Sequence, residues 1–161
     1  MALRKILDNV KDDATLRKKS RPVTEFNSRI GGILDDMKET LKDAQGLGLA
    51  GPQVGILRRM VIIVRNNGEY VELVNPVVLK QSAETEGAYE GCLSIPGERA
   101  WLERSKYVTV KAQDRNGKEF TLDLEGMEAR ASLHEIDHLD GVLFIDLADE
   151  VLDEDDIYED Q

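Results

Sequence analysis

The sequence contains few residues of the kinds that cross-link a chain or anchor it in a membrane. Its 161 residues include one cysteine, two histidines, four prolines and 5% aromatic side chains. A single cysteine excludes an internal disulfide, and no stretch approaches the roughly 18 consecutive apolar residues of a membrane helix. The N-terminal segment meets acidic residues by Asp8, so we expect no secretory signal of the usual build. These absences predict a soluble protein of a reducing compartment, most simply the cytoplasm.

Basic charge is also scarce, because 32 acidic side chains stand against 21 basic ones and the formal net charge is −11. Nucleic-acid binding depends on a basic surface, so DNA is not expected as a partner. Residues 149–160 hold eight carboxylates and no base, which leaves 24 acidic against 21 basic side chains elsewhere. Length and charge together predict one domain over residues 1–148 and an acidic tail over residues 149–161, solvated or frayed.

Helical spacing of apolar residues occurs in two segments. Residues 25–44 carry one apolar stripe, with Thr24 available as the N-cap. The same spacing returns after Gly126 and continues through the two histidines, and Gly141 is well placed to end that helix. The sequence therefore predicts a helix in the N-terminal third of the chain and a second, central one.

Alternating apolar residues predict two β-hairpins, over residues 60–79 and 107–124. Their turns are marked by asparagine and glycine at positions 66–68 and 116–117. A short apolar run at 142–145 predicts one more strand. The expected fold class is therefore α+β, with antiparallel or mixed strands wrapped around the central helix, which would also carry a metal.

The metal expectation comes from the string HEIDH at positions 134–138. It places His134 and His138 four residues apart on one helix face, so both imidazoles can reach a single ion, and it puts Glu135 beside that ion as a general base. A catalytic site of this type needs a third protein ligand. The candidates are Cys92, in the segment EGCLS at positions 90–94, and downstream carboxylates such as Asp140 or Asp146.

A glycine-rich segment, GLGLAGPQVG at positions 46–55, matches neither of the common phosphate-binding glycine patterns. Its glycines allow a substrate backbone to approach closely. Gln53 adds a neutral amide donor of the kind that stabilises an oxyanion in acyl-transfer enzymes.

Three motifs, GLGLAGPQ, EGCLS and HEIDH, occur in this order, and together they make the chain resemble the peptide deformylases. The resemblance extends from about position 16 to position 146. It implies a metal-dependent hydrolase that removes the formyl group from the initiator methionine of nascent polypeptides and releases formate. Two departures are Gly51, where the motif prefers alanine, and Leu133, where the family often has glutamine.

The resemblance also implies roles for individual residues. Cys92, His134 and His138 would bind the metal, Glu135 would be the general acid and base, and the Gln53 amide and the Leu93 backbone N–H would hold the oxyanion. The peptide would lie extended along a methionine pocket, and Glu90 and Arg99 would pair beside it. The substrate-binding residues implied are Leu47, Gly48, Ala88, Gly91, Met127 and Ala131.

One divalent ion per chain is implied, ferrous iron in the cell, with Zn²⁺, Ni²⁺ or Co²⁺ as alternatives. The implied partner is a formyl-methionyl nascent peptide, with transient proximity to the ribosome and no membrane. Two other hypotheses remain open. One is a zinc protease with a carboxylate as third ligand, and the other is a metal-storing or ribosome-associated module without activity.

Overall fold

A computed structural model describes residues 2–159, without the side chains of residues 157–159. The α+β class expected from the sequence is confirmed. The helices are α1 (Asp13–Leu16), α2 (Ser28–Ala44), α3 (Gly126–Leu139), α4 (Phe144–Leu147) and α5 (Glu154–Glu159), with a 3₁₀ turn at Gly51–Val54. The strands are β1 (Gly48–Ala50), β2 (Met60–Val64), β3 (Tyr70–Gln81), β4 (Thr85–Cys92), β5 (Ile95–Ser105), β6 (Tyr107–Gln113), β7 (Glu119–Glu125) and β8 (Leu152–Asp153).

The larger sheet has five antiparallel strands in the order β1-β2-β3-β6-β7. Both predicted hairpins, β2–β3 and β6–β7, belong to it. Strand β2 runs through the middle of the core, because its side chains alternate between the two faces of the sheet. Met60 and Ile62 pack in the cluster under α2, whereas Val61 and Ile63 pack in the cluster under α3. The sheet therefore separates the two long helices.

The smaller sheet has the order β4-β5-β8 and lies on the other side of α3. A third apolar cluster joins β5 to the N-terminal segment and to α4, through Leu16, Ala100, Leu102 and Phe144 among others. Helix α3 is thus covered on both sides, and its polar residues are buried where the two sheets meet it. This arrangement is the central helix that the sequence predicts.

Two local predictions are wrong. Helix α2 begins at Ser28, and its N-cap is Asn27, whose side chain accepts a hydrogen bond from the Ile30 backbone N–H; Thr24 lies outside the helix. The apolar run at 142–145 forms no strand, because the chain turns into α4 at Phe144 and Asp146 accepts a hydrogen bond from the Leu143 N–H. A four-residue apolar run suits a buried strand and a buried turn equally well.

The acidic C-terminal end differs from the expected solvated or frayed tail. Leu152 and Asp153 pair with Arg99 and Glu98 of β5, and the Glu154 carboxylate lies 3.3 Å from the Arg99 guanidinium. Arg99 of β5 therefore holds this acidic segment against the sheet. Composition alone does not reveal this contact. Residues 160 and 161 lie outside the described residues.

Candidate metal centre

Two elements bring three potential metal ligands together. His134 and His138 are one turn apart on α3 and both are buried. Cys92 ends β4 immediately after a register shift in the β4–β5 pairing between Glu90 and Cys92. One ligand atom of each residue lies within 4.8 Å of the others, and Cys92 Sγ is 3.3 Å from His138 Nε2. One thiolate and two imidazoles at this spacing suit a divalent zinc or iron ion.

The other two ligand candidates from the sequence are engaged elsewhere. Asp140 lies 3.0 Å from the Arg59 guanidinium, and Asp146 pairs with Arg17. Among the described residues, only Cys92 joins the two histidines as a potential ligand. The hypothesis of a protease with a carboxylate ligand therefore loses both of its named candidates.

A buried carboxylate orients the first histidine. Glu90 Oε1 lies 2.8 Å from His134 Nδ1, and Glu90 also accepts hydrogen bonds from Arg104 and Arg130. Burial alone would raise the pKa of Glu90, but the hydrogen bonds from His134 and Arg104 outweigh it and lower the pKa to about 2. Glu90 is therefore ionised, and it leaves His134 Nε2 as the free ring nitrogen.

The electrostatics of the two rings favour a cation. Burial lowers the pKa of His138 to about 3, so this ring is neutral, as a metal ligand must be. Burial acts in the same direction on His134, but Glu135, Cys92 and Glu90 outweigh it and raise its pKa. The negative groups around His134 thus stabilise positive charge at this ring. The centre is built to hold positive charge.

Glu135 lies beside the ligands, and among the described residues no lysine or arginine forms a salt bridge or hydrogen bond with it. It is buried, and its Oε1 atom has no hydrogen-bond partner among the described residues. Burial raises the pKa of Glu135 to about 7, although the charge of His134 opposes the rise. Gly48 makes this position possible, since a Cβ atom there would lie 2.7 Å from the Glu135 side chain. A carboxyl group with a pKa near neutrality is suited to proton transfer.

Gln53 is buried next to Cys92. Its Oε1 accepts a hydrogen bond from the Ala50 N–H, and its Nε2 lies 3.1 Å from Ser94 Oγ and 3.5 Å from Cys92 Sγ. These contacts fix the orientation of the amide, with the N–H₂ group toward the thiol. Gly51, where the motif prefers alanine, is closely packed, because a Cβ atom there would lie 2.5 Å from the Ile56 carbonyl oxygen.

A cavity of about 550 Å³ opens beside these residues. His134, Glu135 and Cys92 form part of its wall, and Leu93 lines it next to Cys92. Five residues expected from the sequence to bind substrate also line it: Leu47, Gly48, Gly91, Met127 and Ala131.

Ala88 is an exception, since it is not among the lining residues. It pairs with the buried Leu102 on the face of the β4–β5 hairpin that turns into the core. The expected pair of Glu90 with Arg99 is also wrong, since Glu90 is bound by Arg104 and Arg130 and Arg99 is bound by Glu154.

Several residues of the cavity wall were not predicted from the sequence, including Tyr89, Arg130 and Glu154. Arg130 lies four residues before His134, on the same face of the predicted helix. That spacing is a signal by which it could have been found. For Tyr89 and Glu154 the sequence offers no comparable signal.

Comparison with known proteins gives the family. The sequence matches the polypeptide deformylase family over residues 4–153. This chain belongs to the peptide deformylase family. It is 52% identical to the peptide deformylase of Caldicellulosiruptor bescii over 149 residues, which cover 91% of this chain and 86% of that protein. It is 44% identical to the peptide deformylase of Natranaerobius thermophilus over 154 residues, which cover 96% and 97% of the two chains.

Solved structures agree with the sequence comparison. The crystal structure of peptide deformylase from Thermotoga maritima superimposes with a TM-score of 0.88 at 40% identity, covering 93% of this chain and all of that one. As a peptide deformylase, the chain is a metal-dependent hydrolase that removes the formyl group from nascent polypeptides. In the part of the chain that the structure describes, no helix is both long and apolar enough to cross a bilayer.

Proposed function

We propose that this deformylase works at a single divalent ion held by Cys92, His134 and His138. The observation that supports the proposal best is the convergence of their three ligand atoms within 4.8 Å, beside a buried carboxyl group whose Oε1 atom has no hydrogen-bond partner among the described residues. The donor set, the neutral His138 ring and the negative groups around His134 all fit a cation. When bound, the ion supplies Lewis acidity, which polarises a carbonyl oxygen and lowers the pKa of water.

Glu135 acts as the general acid and base in this proposal. Its carboxylate takes a proton from the water that attacks the formyl carbon. It then delivers that proton to the amide nitrogen as the C–N bond breaks, so the products are formate and a free α-amino group. Its position against Gly48 keeps the carboxyl group at the wall of the cavity, where burial raises its pKa to about 7.

Two donors hold the oxyanion. The Gln53 Nε2 group, oriented by Ala50 and Ser94, faces the Cys92 sulfur, and the backbone N–H of Leu93 is the second donor. Donors that are already oriented stabilise developing charge without reorganising during the reaction, and one such donor contributes about 2.7 to 4 kcal/mol in acyl-transfer enzymes.

The methionine side chain occupies the cavity beside His134. Leu47, Met127 and Ala131 supply apolar wall, and Gly48 and Gly91 let the peptide backbone approach closely. The small Ala131 leaves room for the flexible thioether. The backbone of the peptide extends along these glycines as an added strand.

The cellular setting completes the proposal. Ferrous iron is the ion in the cell, with Zn²⁺, Ni²⁺ or Co²⁺ as replacements, and the enzyme acts in the cytoplasm close to the ribosome, where its substrate emerges. The catalytic domain comprises residues 1–148, and the acidic residues 149–161 that follow it are joined to it through the pairing of β8 with β5.

Formate release from a formyl-methionyl peptide, measured under anaerobic conditions with added Fe²⁺, tests the proposal. The unsubstituted chain is expected to release formate, and Cys92→Ala is expected to lose both metal and turnover. Asp146→Ala, which removes a carboxylate paired with Arg17, is the matched control and should retain both. Full metal occupancy and turnover in Cys92→Ala would refute the ligand assignment, and no release with any tested divalent ion would refute the proposed activity.

A further inference from the structure

Three arginines of this chain form no salt bridge with any described carboxylate. The sequence contains eleven arginines, and eight of them pair with an aspartate or a glutamate. The other three are Arg21, Arg29 and Arg58, and all of them line one cavity of about 530 Å³. Acidic side chains outnumber basic ones by 32 to 21, so arginines without such a partner are not expected to gather at one place. The cavity therefore concentrates positive charge in an acidic protein.

Backbone pairing holds two of these arginines side by side. Arg21 and Arg58 are partners in an isolated parallel β-bridge, and the Arg21 N–H donates a hydrogen bond to the Leu57 carbonyl oxygen at 3.1 Å. The Arg59 N–H donates in turn to the Arg21 carbonyl oxygen at 2.9 Å. Like charges on paired residues repel each other, so this placement costs stability unless an anion lies between them.

The third arginine lies at the end of α2 that favours negative charge. Arg29 is in the first turn of this helix, which contains no acidic residue. The N-terminal end of a helix carries partial positive charge, so a cation there is destabilising and an anion is stabilising. Glu25 is the only carboxylate among the described lining residues, and three guanidiniums against it leave the wall with a net charge of +2. The wall therefore favours an anionic occupant.

Another part of the wall is apolar. Its buried members are Val23, Ile30 and Ile33. The arginines lie closer to solvent, since Arg21 and Arg29 are exposed and Arg58 is half-buried. The cavity volume falls within the roughly 300 to 1,000 Å³ of small-molecule sites. This arrangement suits a small molecule that has a charged end and an apolar or planar end.

The cavity is separate from the metal centre. It adjoins Asn27 and Arg29 at the start of α2, whereas the cavity beside Cys92 adjoins Ala44, the last residue of that helix. A helix of 17 residues is about 25 Å long. Among the described residues, the two cavities share no lining residue. An occupant of this cavity is therefore remote from the proposed metal ligands.

We propose that this cavity binds a small organic phosphate of the nucleoside diphosphate class. Its phosphates bind the guanidiniums of Arg21, Arg29 and Arg58, because a planar guanidinium matches two phosphate oxygens with parallel hydrogen bonds. Its sugar and base pack against the apolar part of the wall. The inference does not depend on the proposed function, since no residue of the metal centre takes part.

Isothermal titration calorimetry of the metal-loaded chain tests the site, with ADP, adenosine and inorganic phosphate as probes in buffer without Mg²⁺. ADP should bind at one site per chain, at least about tenfold more tightly than the other two, because only ADP offers both the charged and the apolar part. Arg21→Gln, Arg29→Gln and Arg58→Gln should each raise the Kd of ADP about tenfold. Arg58→Lys should raise it less than Arg58→Gln, because lysine keeps the charge without the planar fork.

Lys80→Gln is the matched control, since Lys80 is an exposed cation on β3 that lines neither cavity. It should leave the Kd of ADP unchanged. Glu25→Gln should lower that Kd, because it removes the carboxylate from the wall. Thermal unfolding of each variant without ADP checks that weaker binding is not a loss of fold. Arg29→Gln should melt no lower than the unsubstituted chain, because it removes a cation from the positive end of α2.

Four outcomes would overturn the proposal. The first is the absence of saturable ADP binding, or the same Kd in the unsubstituted chain and all three glutamine variants. The second is adenosine binding as tightly as ADP, since the arginines would then contribute nothing. The third is inorganic phosphate binding as tightly as ADP, which would leave the apolar wall without a role. The fourth is a short single-stranded RNA that binds more tightly than ADP and is weakened by the same variants, because the occupant would then be a nucleic acid.

Discussion

Two charged clusters in this protein are built on the same plan, and their difference shows what the active-site cluster adds. In the first, Glu90 accepts hydrogen bonds from Arg104 and Arg130 and contacts His134. In the second, Glu72 pairs with Arg115 and with Lys38, whose Nζ lies 2.8 Å away. Each cluster thus centres on one carboxylate that pairs with two arginine or lysine side chains.

The clusters differ in burial and in what adjoins them. The side chains of Glu90, Arg104 and Arg130 are all less than 10% exposed, whereas about a third of the Arg115 and Lys38 side chains is open to solvent. The Glu90 cluster contacts a candidate metal ligand, His134, and lies next to Glu135, whose Oε1 atom has no hydrogen-bond partner among the described residues. The Glu72 cluster joins β3 to α2. Similar ion pairing therefore orients a residue of the proposed metal site in one place and joins two elements of the fold in the other.

The largest expected effect is on Glu135. Glu135→Ala should bind metal normally and lose at least about 100-fold in kcat, the low end of general acid–base contributions. Its melting temperature should not fall, because the variant removes a buried carboxyl group whose Oε1 atom has no hydrogen-bond partner among the described residues. Steady-state kinetics, metal analysis and thermal unfolding of one preparation give all three values. Normal turnover would refute the role of Glu135, and a large loss of stability would contradict the contrast between the clusters.

Glu90→Gln should come next in size. It removes the charge that orients His134, so metal affinity should fall about 10- to 100-fold. It also leaves two buried arginines without their carboxylate, which costs about 3 to 5 kcal/mol of folding stability. Metal titration and denaturant unfolding measure the two effects. Asp137→Asn, which removes a more exposed partner of Arg104, is the control and should change both much less.

Glu72→Gln should lower the free energy of unfolding by about 1 to 2 kcal/mol and leave kcat unchanged. Burial would raise the pKa of Glu72, but hydrogen bonds from Arg115 and Lys38 outweigh it and lower the pKa below the ordinary value. The stabilisation is therefore complete above the unfolded pKa of about 4.3 and is lost as the pH falls through the lower folded value. The free energy of unfolding of the unsubstituted chain and of Glu72→Gln is measured at a series of pH values. The two values should converge in acid. A difference that stays constant with pH would argue against a contribution from the ion pairs.

The smallest expected effect concerns Gly32 of α2, which is compared with Gly48 beside Glu135. Gly32 lies inside α2, and a Cβ atom there would have no neighbour within 4 Å. Gly32→Ala should therefore raise stability by about 0.5 to 1 kcal/mol without changing kcat. Gly48→Ala is its counterpart at the active site and should lower kcat, because the new methyl group would displace Glu135. The two predictions are wrong if Gly32→Ala and Gly48→Ala change the free energy of unfolding and kcat to the same extent.

Much of the fold was predictable because its signals are local. Hairpins β2–β3 and β6–β7 follow from alternation around asparagine–glycine turns, and α3 follows from its apolar spacing. The β4–β5 hairpin was not predicted as strands, because Gly87, Gly91 and Gly97 interrupt its pattern. Two of these glycines serve distant side chains, since they make room for Trp101 and Arg99. That requirement cannot be read from neighbouring residues.

The sequence by itself determined the family, the α+β class and the helical spacing of His134 and His138, because motifs and periodicity are written in consecutive residues. Only the tertiary structure decided which groups surround them. Arg104, Arg130 and Glu90 come from three different elements, and Glu154 reaches the cavity from the acidic end through Arg99. Burial and long-range contacts set the charge and orientation of these groups, and both depend on how the two sheets enclose α3.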